Sequence, residues 1–383
     1  MDIISELGRD ALAAASLESD PGSLGAAGRL RKRFSPELAA AALTQVTLRR
    51  RARTKFPRAD EMFFTSAGLE QATRHDVAAW RAQQFRAAGV EVVVDLGCGI
   101  GADSLAFLEA GLRVHAVEAD PDTAAIASAN LALVGGGEVT VGRAEDVEIP
   151  VEAGVFLDPA RRTSHGRTWR VEDFSPPWSL VLHHLDGDAL CCVKAGPGLP
   201  KQLIPPGVRA TWVSHHGDVV ETSLWNGDGP SRAAVVFPRD GGAPLDVARE
   251  NPRELPVRGP GRYIVEPDNA VVRAGLVTEI APDSDLWLLN EHTAYLSSDE
   301  PVMTPLADCF EVADVLDYDI ARLKAYVAHH KIGTLEIKKR AIDIDPAALR
   351  RQLKPRGDRH ATIILARTPD GSRAIVARRV PSP

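Results

Sequence analysis

The stretch Val92-Val93-Val94-Asp95-Leu96-Gly97-Cys98-Gly99-Ile100-Gly101-Ala102-Asp103 decides how the rest of this 383-residue chain is read. Three β-branched residues, an acid and glycines at 97, 99 and 101 describe a strand that turns sharply into a helix. Glycine is needed there because the backbone reverses and because a ligand can then approach it without a Cβ in the way. The helix is expected to begin near Asp103, whose carboxylate suits the positive end of the helix dipole. Downstream, Val114-His115-Ala116-Val117 reads as a second strand ending at Glu118. Further short apolar runs follow at Val139-Thr140-Val141, Val155-Phe156-Leu157 and Ala189-Leu190-Cys191-Cys192-Val193. Alternating with helical stretches, they predict β-α-β units and a parallel sheet. Two later runs, Ala210-Thr211-Trp212-Val213-Ser214 and Ala233-Ala234-Val235-Val236-Phe237, are expected to form an antiparallel edge.

The glycine turn alone fits two kinds of nucleotide. Gly97-x-Gly99-x-x-Ala102 matches the dinucleotide fingerprint, and Glu118, about twenty residues on, suits the ribose in either case. Asp95 separates them: a carboxylate two residues ahead of Gly97 repels a pyrophosphate but attracts the cationic amino-acid end of S-adenosylmethionine. Residues 92–118 closely resemble the first two motifs of the class I S-adenosylmethionine-dependent methyltransferases. The resemblance implies an α/β fold with a Rossmann-like, doubly wound, seven-stranded sheet. It also implies roles: Asp95, Gly97, Gly99 and Gly101 hold the methionine part of the cofactor, and Glu118 accepts both ribose hydroxyls. In Gly142-Arg143-Ala144-Glu145-Asp146, Ala144 and Glu145 would lie against the adenine.

Methyl transfer from a sulfonium is a direct displacement that needs alignment and desolvation more than a metal or a covalent nucleophile. It does need a group to hold the acceptor and take its proton. Asp158-Pro159-Ala160-Arg161 follows the run ending at Leu157, where related nucleic-acid enzymes carry Asn/Asp-Pro-Pro-aromatic, and Asp158 is the candidate. Here Ala160 and Arg161 replace the second proline and the stacking aromatic; Arg161, with Arg162, could instead clamp a phosphate or stack through its guanidinium. Ser175-Pro176-Pro177-Trp178 resembles a motif of cap-hypermethylating enzymes, but Ser175 capping a helix opened by Pro176 is a sufficient account. Cys191 and Cys192 read as small buried thiols rather than nucleophiles. The pairs His183-His184, His215-His216 and His329-His330 should diverge, and no metal is expected.

Charge is distributed unevenly beneath a net value of −7. Residues 29–58 carry ten Lys/Arg against one acid and residues 322–383 fifteen against five, while residues 59–321 carry nineteen against forty-one. Basic ends of this kind are the electrostatic footprint of polyanion binding. Residues 1–89 read as a helical region, with Ser35-Pro36-Glu37 opening a helix that ends in the basic run Arg49 to Lys55. Residues 90–240 would form the methyltransferase domain, the Pro/Gly-rich residues 241–262 a linker, and residues 263–383 a smaller α+β region. Its strands are expected at Thr334–Lys338, Ala361–Ala366 and Arg373–Ala377, and its helix near Pro346–Leu353. The segment Ile332-Gly333-Thr334-Leu335-Glu336-Ile337-Lys338-Lys339-Arg340, with the basic residues after it, resembles a THUMP-like domain over about 310–383. That module is attached to several RNA-modifying enzymes, so Lys338, Lys339 and Arg340 become candidate RNA contacts.

No run approaches the roughly 18 apolar residues that span a bilayer, and Met1-Asp2-Ile3-Ile4-Ser5-Glu6 does not read as a signal peptide. A cytoplasmic location is expected. Four cysteines without C-x-x-C spacing predict neither disulfides nor structural zinc. Two other functions remain compatible with the sequence: a methyltransferase for a small molecule or a protein, and a non-catalytic RNA-binding module with a degenerate cofactor fold.

Overall fold

The computed structural model describes residues 2–161 and 171–381. The chain divides into two compact units: Met1–Ala195 with Leu199–Val208 and Ser223–Gly227, and Gly196–Gly198 with Arg209–Thr222 and Asp228–Pro383.

The first unit opens with α1 (Glu6–Ser16), α2 (Leu24–Leu30), α3 (Pro36–Ala52), α4 (Ser66–Gln71) and α5 (His75–Ala87). α3 starts as its sequence dictates, with the Ser35 side chain accepting from the Leu38 N–H, Pro36 in the first turn and Glu37 beside the exposed amides. It ends in Arg49, Arg50 and Arg51, which suit its carbonyl end. Arg49 and Arg50 of this basic run are half-buried, while Arg51 and Arg53 stay exposed. Arg49 donates to the Met62 carbonyl at 2.8 Å, Arg50 to the Ser19 carbonyl at 2.8 Å, and Arg53 pairs with Asp60 at 3.0 Å. The donors of Arg49 and Arg50 are therefore taken up by backbone carbonyls, and Arg53 by a carboxylate.

There follow β1 (Val92–Leu96), α6 (Ala102–Glu109), β2 (Arg113–Glu118), α7 (Pro121–Leu131), β3 (Glu138–Val141), β4 (Gly154–Leu157), β5 (Ala160–Arg161), β6 (Phe174–Ser175), α8 (Trp178–Leu185) and β7 (Cys191–Ala195). Strands β3, β2, β1, β4 and β7 lie side by side in that order, all parallel. One core joins the helical region to this sheet: Phe85 of α5 meets Phe107 of α6 edge-on at 5.5 Å, and Phe107 meets Phe156 of β4 at 5.5 Å. Buried Asn130 of α7 ties a loop to the glycine turn, accepting from Phe63 N–H at 2.7 Å and donating to the Phe63 and Ile100 carbonyls.

With β8 (Arg209–His215), β9 (Asp218–Trp225), β10 (Arg232–Phe237) and β11 (Leu245–Ala248), the sheet order becomes β3-β2-β1-β4-β7-β9-β8-β10-β11, two strands beyond the expected seven. The boundary between the units falls within β9. The two runs expected as an antiparallel edge, β8 and β10, instead pair with each other in parallel, and the antiparallel neighbour of β10 is β11. Their adjacency conceals β9, whose buried Glu221, Thr222 and Ser223 give no apolar signal. β11 lies inside the stretch 241–262 expected as a linker, so its prolines and glycines flank a strand.

The rest of the second unit holds β12 (Tyr263–Pro267), α9 (Asn269–Ala274), β13 (Trp287–Leu288), β14 (Leu296–Ser298), β15 (Ala307–Asp317), α10 (Ile320–His329), β16 (Ile332–Lys339), α11 (Pro346–Leu353), β17 (Arg359–Thr368) and β18 (Gly371–Arg379). Its sheet runs β13-β14-β12-β15-β18-β17-β16. β17 shows strand periodicity buried on both sides. Ile363 and Leu365 join the cluster under α10 and α11, while Ile364 and Ala366 join Ile264, Tyr295 and Phe310 on the other face.

Candidate functional site

The C-terminal ends of β1, β2 and β4 open on a cavity of about 370 Å³, in the crevice where open parallel sheets bind ligands. Asp95, the fourth residue of β1, lines it and is only 1% exposed. Its Oδ2 accepts from the Ser104 hydroxyl at 2.5 Å, while Oδ1 is buried without a hydrogen bond among the described residues. Burial pushes this carboxyl up to about 8; Ser104 opposes the shift, and neighbouring Asp103 and Asp158 add to it.

The turn after Asp95 is locked from two sides. Gly97 and Cys98 donate N–H to the Val117 carbonyl at 2.9 and 3.0 Å. Glu118 accepts from Gly99 N–H at 3.0 Å and from Asp120 N–H at 2.9 Å. Gly97 and Gly99 line the cavity at φ +91° and +57°, and a Cβ on Gly99 would project into open space. Gly101 does not line it. At φ +78° it caps the start of α6 in the left-handed conformation that glycine favours.

Asp103 stands in the first turn of α6, as expected. It is buried, accepts from the Thr73 hydroxyl at 2.7 Å and pairs with Arg81, whose side chain is 0% exposed. That guanidinium lies over the Phe156 ring at 4.8 Å. The partner is invisible in sequence because it comes from α5, outside the motif.

Ala144 and Glu145 line the cavity wall, where Glu145 pairs with Arg143 at 2.7 Å. Asp158 lies just past β4, one-third exposed, with its Oδ2 against the Lys194 ammonium. Burial pushes the Asp158 carboxyl above its ordinary value, and Lys194 opposes that rise. Ala160 and Arg161 form β5, which pairs antiparallel with Phe174–Ser175. The Arg161 side chain and Arg162 lie outside the described residues.

This pairing overturns the capping account of Ser175. α8 starts at Trp178 with Pro177 at its N-cap and no side-chain cap bond, whereas Ser175 belongs to β6 and follows the strand geometry of its partner Ala160. Ser175 and Pro176 line the cavity with Asp158 and Ala160, and Phe174 packs on Trp178 at 5.2 Å. The Ser-Pro-Pro-Trp match was the available signal. From the helical region, Thr65, Gly68 and Gln71 complete the lining, with no motif to announce them.

Cys191 and Cys192 are fully buried, and burial raises the Cys191 thiol. The histidine pairs do not diverge: His215 and His216 have ring centroids 4.0 Å apart, and His183 and His184 are 5.3 Å apart. Ring packing between neighbours outweighs the alternation expected there. Among the described residues no cluster of three His, Cys, Asp or Glu forms a metal site. No described helix is long and apolar enough to cross a membrane.

In the second unit, Lys338 and Arg340 turn toward Glu266, at 2.6 and 3.6 Å, and Arg340 lies over the Tyr295 ring at 5.3 Å. Only Lys339 of the three is exposed.

Residues 307–379 match the family model described as THUMP domain-like, and residues 2–52 match a domain of unknown function, DUF8688. Over 332 residues the chain is 36% identical to an uncharacterised S-adenosylmethionine-dependent methyltransferase of Mycobacterium tuberculosis strain H37Rv, covering 84% of this chain and 89% of the relative. The counterpart in strain CDC 1551 gives the same values. The chain belongs to the S-adenosylmethionine-dependent methyltransferases. A protein of Porphyromonas gingivalis W83, provisionally described as a methyltransferase, shares the methyltransferase's fold: the TM-score is 0.76 at 20% identity, covering 97% of this chain and 99% of that one.

The cavity suits the cofactor of this family. An orphaned carboxylate oxygen on Asp95 meets the need of a ligand cation, and open space over Gly99 lets a ligand reach the backbone. Glu118 retains lone pairs beyond its two backbone bonds.

Proposed function

We propose that this methyltransferase modifies RNA, with Asp158 holding the acceptor nucleotide. The carrying observation is the pairing of a cofactor cavity with a THUMP domain-like module whose basic residues are free at one end. Lys331, Arg350, Arg351, Lys354, Arg356 and Arg359 are exposed and make no ion pair among the described residues, unlike Lys338 and Arg340. Arg359 N–H bonds the Lys331 carbonyl at 3.2 Å, which brings those two residues together, and Lys354 caps the end of α11 five residues before Arg359. Such a patch grips phosphates without reading sequence, so RNA contact shifts from Lys338 and Arg340 to residues 331 and 350–359, with Lys339 kept as a candidate.

In this reading Asp95 and the Gly97 and Gly99 backbone hold the methionine part, Glu118 the ribose hydroxyls, and Ala144 and Glu145 the adenine side. When bound, the cofactor supplies an electrophilic methyl on a sulfonium. Asp158 accepts a hydrogen bond from the acceptor's N–H or O–H and takes that proton as the acceptor's lone pair forms the new bond. Ser175 and Pro176 shape the wall opposite the glycine turn, Arg161 stands as a candidate phosphate clamp, and the cytoplasm is the place of action.

The test is transfer of radiolabelled methyl to fractionated RNA, protein and metabolites from cells lacking this gene. Label should enter RNA and vanish with Asp158→Ala. Label confined to protein or metabolites overturns the RNA assignment, and full-rate transfer by Asp158→Ala removes that residue from its role.

A further inference from the structure

We propose that Lys194 is the positioning residue of this site: its ammonium fixes the Asp158 carboxylate and ties it to the C-terminal end of α4. The inference rests on the reading of Asp158 given above. β4 and β7 pair in parallel with Leu157 opposite Val193, so Asp158 and Lys194 extend side by side from the strand ends. The Lys194 side chain is 12% exposed, and its Nζ meets Asp158 Oδ2. Asp158 Oδ1 accepts no hydrogen bond among the described residues, which leaves one oxygen held and the other for an acceptor.

A second contact gives the lysine its reach. Lys194 Nζ lies 3.4 Å from the Gln71 carbonyl, at the last residue of α4. Lys55 donates to the Leu69, Glu70 and Ala72 carbonyls at 2.8, 3.1 and 3.1 Å. Two ammonium groups thus hold the carbonyl end of a short helix whose Gly68 and Gln71 line the cavity. Ammonium groups suit that end of a helix electrostatically. Removing Lys194 would free both the carboxylate and this wall.

The charged surroundings of Asp158 make the loss readable. Asp103 from α6 and Asp95 from β1 oppose its ionisation; Lys194 from β7 and Arg81 from α5 favour it, with Lys55, in the turn after α3, close to Lys194. Without Lys194, burial and two carboxylates face Arg81 alone. The Asp158 titration must then move to higher pH.

The experiment follows the Asp158 side-chain carbonyl ¹³C resonance, assigned by its loss in Asp158→Asn, against pH in the full-length protein. Wild type, Lys194→Gln and Lys194→Arg are compared, each checked for folding by thermal melting. The midpoint should rise by a unit or more in Lys194→Gln and stay near wild type in Lys194→Arg. Methyl transfer to RNA at saturating cofactor should fall at least tenfold at pH 7 in Lys194→Gln, with its acid limb displaced upward. An unmoved midpoint in Lys194→Gln overturns the proposal. If Lys194→Gln does not fold, Lys194→Met replaces it with the same criterion. Should Asp158→Asn keep its full transfer rate, the reading of Asp158 itself fails, whatever the titration shows.

Discussion

Asp95 should make cofactor binding release a proton. Its carboxyl is pushed up to about 8 by burial, so at pH 7 roughly nine-tenths of the ligand-free protein carries it neutral. The amino end of the cofactor, an α-amino group with a value of roughly 7.7–8.0, is mostly cationic at that pH. Meeting that cation requires the ionised carboxylate, so binding at pH 7 should expel close to one proton. Lowering the pH from 7 to 6 should weaken binding about tenfold, or about 1.4 kcal/mol. Calorimetry at pH 7 in buffers of different ionisation enthalpy measures the released proton directly. Asp95→Asn should abolish the release and weaken binding by roughly 1.5–3 kcal/mol, as for a charge-assisted hydrogen bond. A heat independent of the buffer in wild type, or the same dependence in Asp95→Asn, would refute the reasoning. The sign for stability follows from the same shift. Folding raises this carboxyl above its unfolded value, so its contribution is complete below about pH 4 and is lost as the pH climbs toward 8. Melting temperature without cofactor should therefore fall over that interval more steeply in wild type than in Asp95→Asn.

Other expectations can be checked separately. Arg81→Leu leaves Asp103 buried without its cation and should cost about 3–5 kcal/mol in urea unfolding, whereas the double change Arg81→Leu with Asp103→Leu should cost less than the sum of the two. Asn130→Ala removes the bonds tying Phe63 to the glycine turn and should lower stability by a few kcal/mol, with a weaker cofactor affinity as its second readout. Alanines at Arg350, Arg351, Lys354, Arg356 and Arg359 should reduce RNA retention on filters and flatten its salt dependence by roughly 0.7 log units per lost phosphate contact to single strands. Alanines at Lys338 and Arg340 should instead destabilise the second unit and leave retention unchanged; the reverse result would return RNA contact to residues 338–340.

The strand-turn-helix side of the cavity was legible because its residues are close in sequence. Asp95, Gly97 and Gly99 sit within five residues, and Glu118 ends the next strand, so strand-turn-helix geometry brings them together wherever the chain folds. The side of the cavity lined by Asp158 and Ser175 was only partly legible. Asp158 could be named from its place after an apolar run, but Ser175 looked like a helix cap, because a Ser-Pro-Pro sequence serves equally well in a strand that pairs with Ala160. Lys194 carried no signal, since a lysine ending an apolar run is ordinarily solvated.

The basic clusters show the same division from the side of charge. The sequence established how many cations stand at each end of the chain, together with the α/β pattern and the glycine turn, because these follow from composition, spacing and the two backbone periods. Only the tertiary structure decided which cations are free. Glu266, 72 residues before Lys338 in the chain, removes Lys338 and Arg340 from the surface, while the backbone oxygens of Glu18, Ser19 and Met62 take up Arg49 and Arg50. Long side chains find partners through space. Their roles are therefore set by which elements the fold packs together, a quantity that no local stretch of sequence contains.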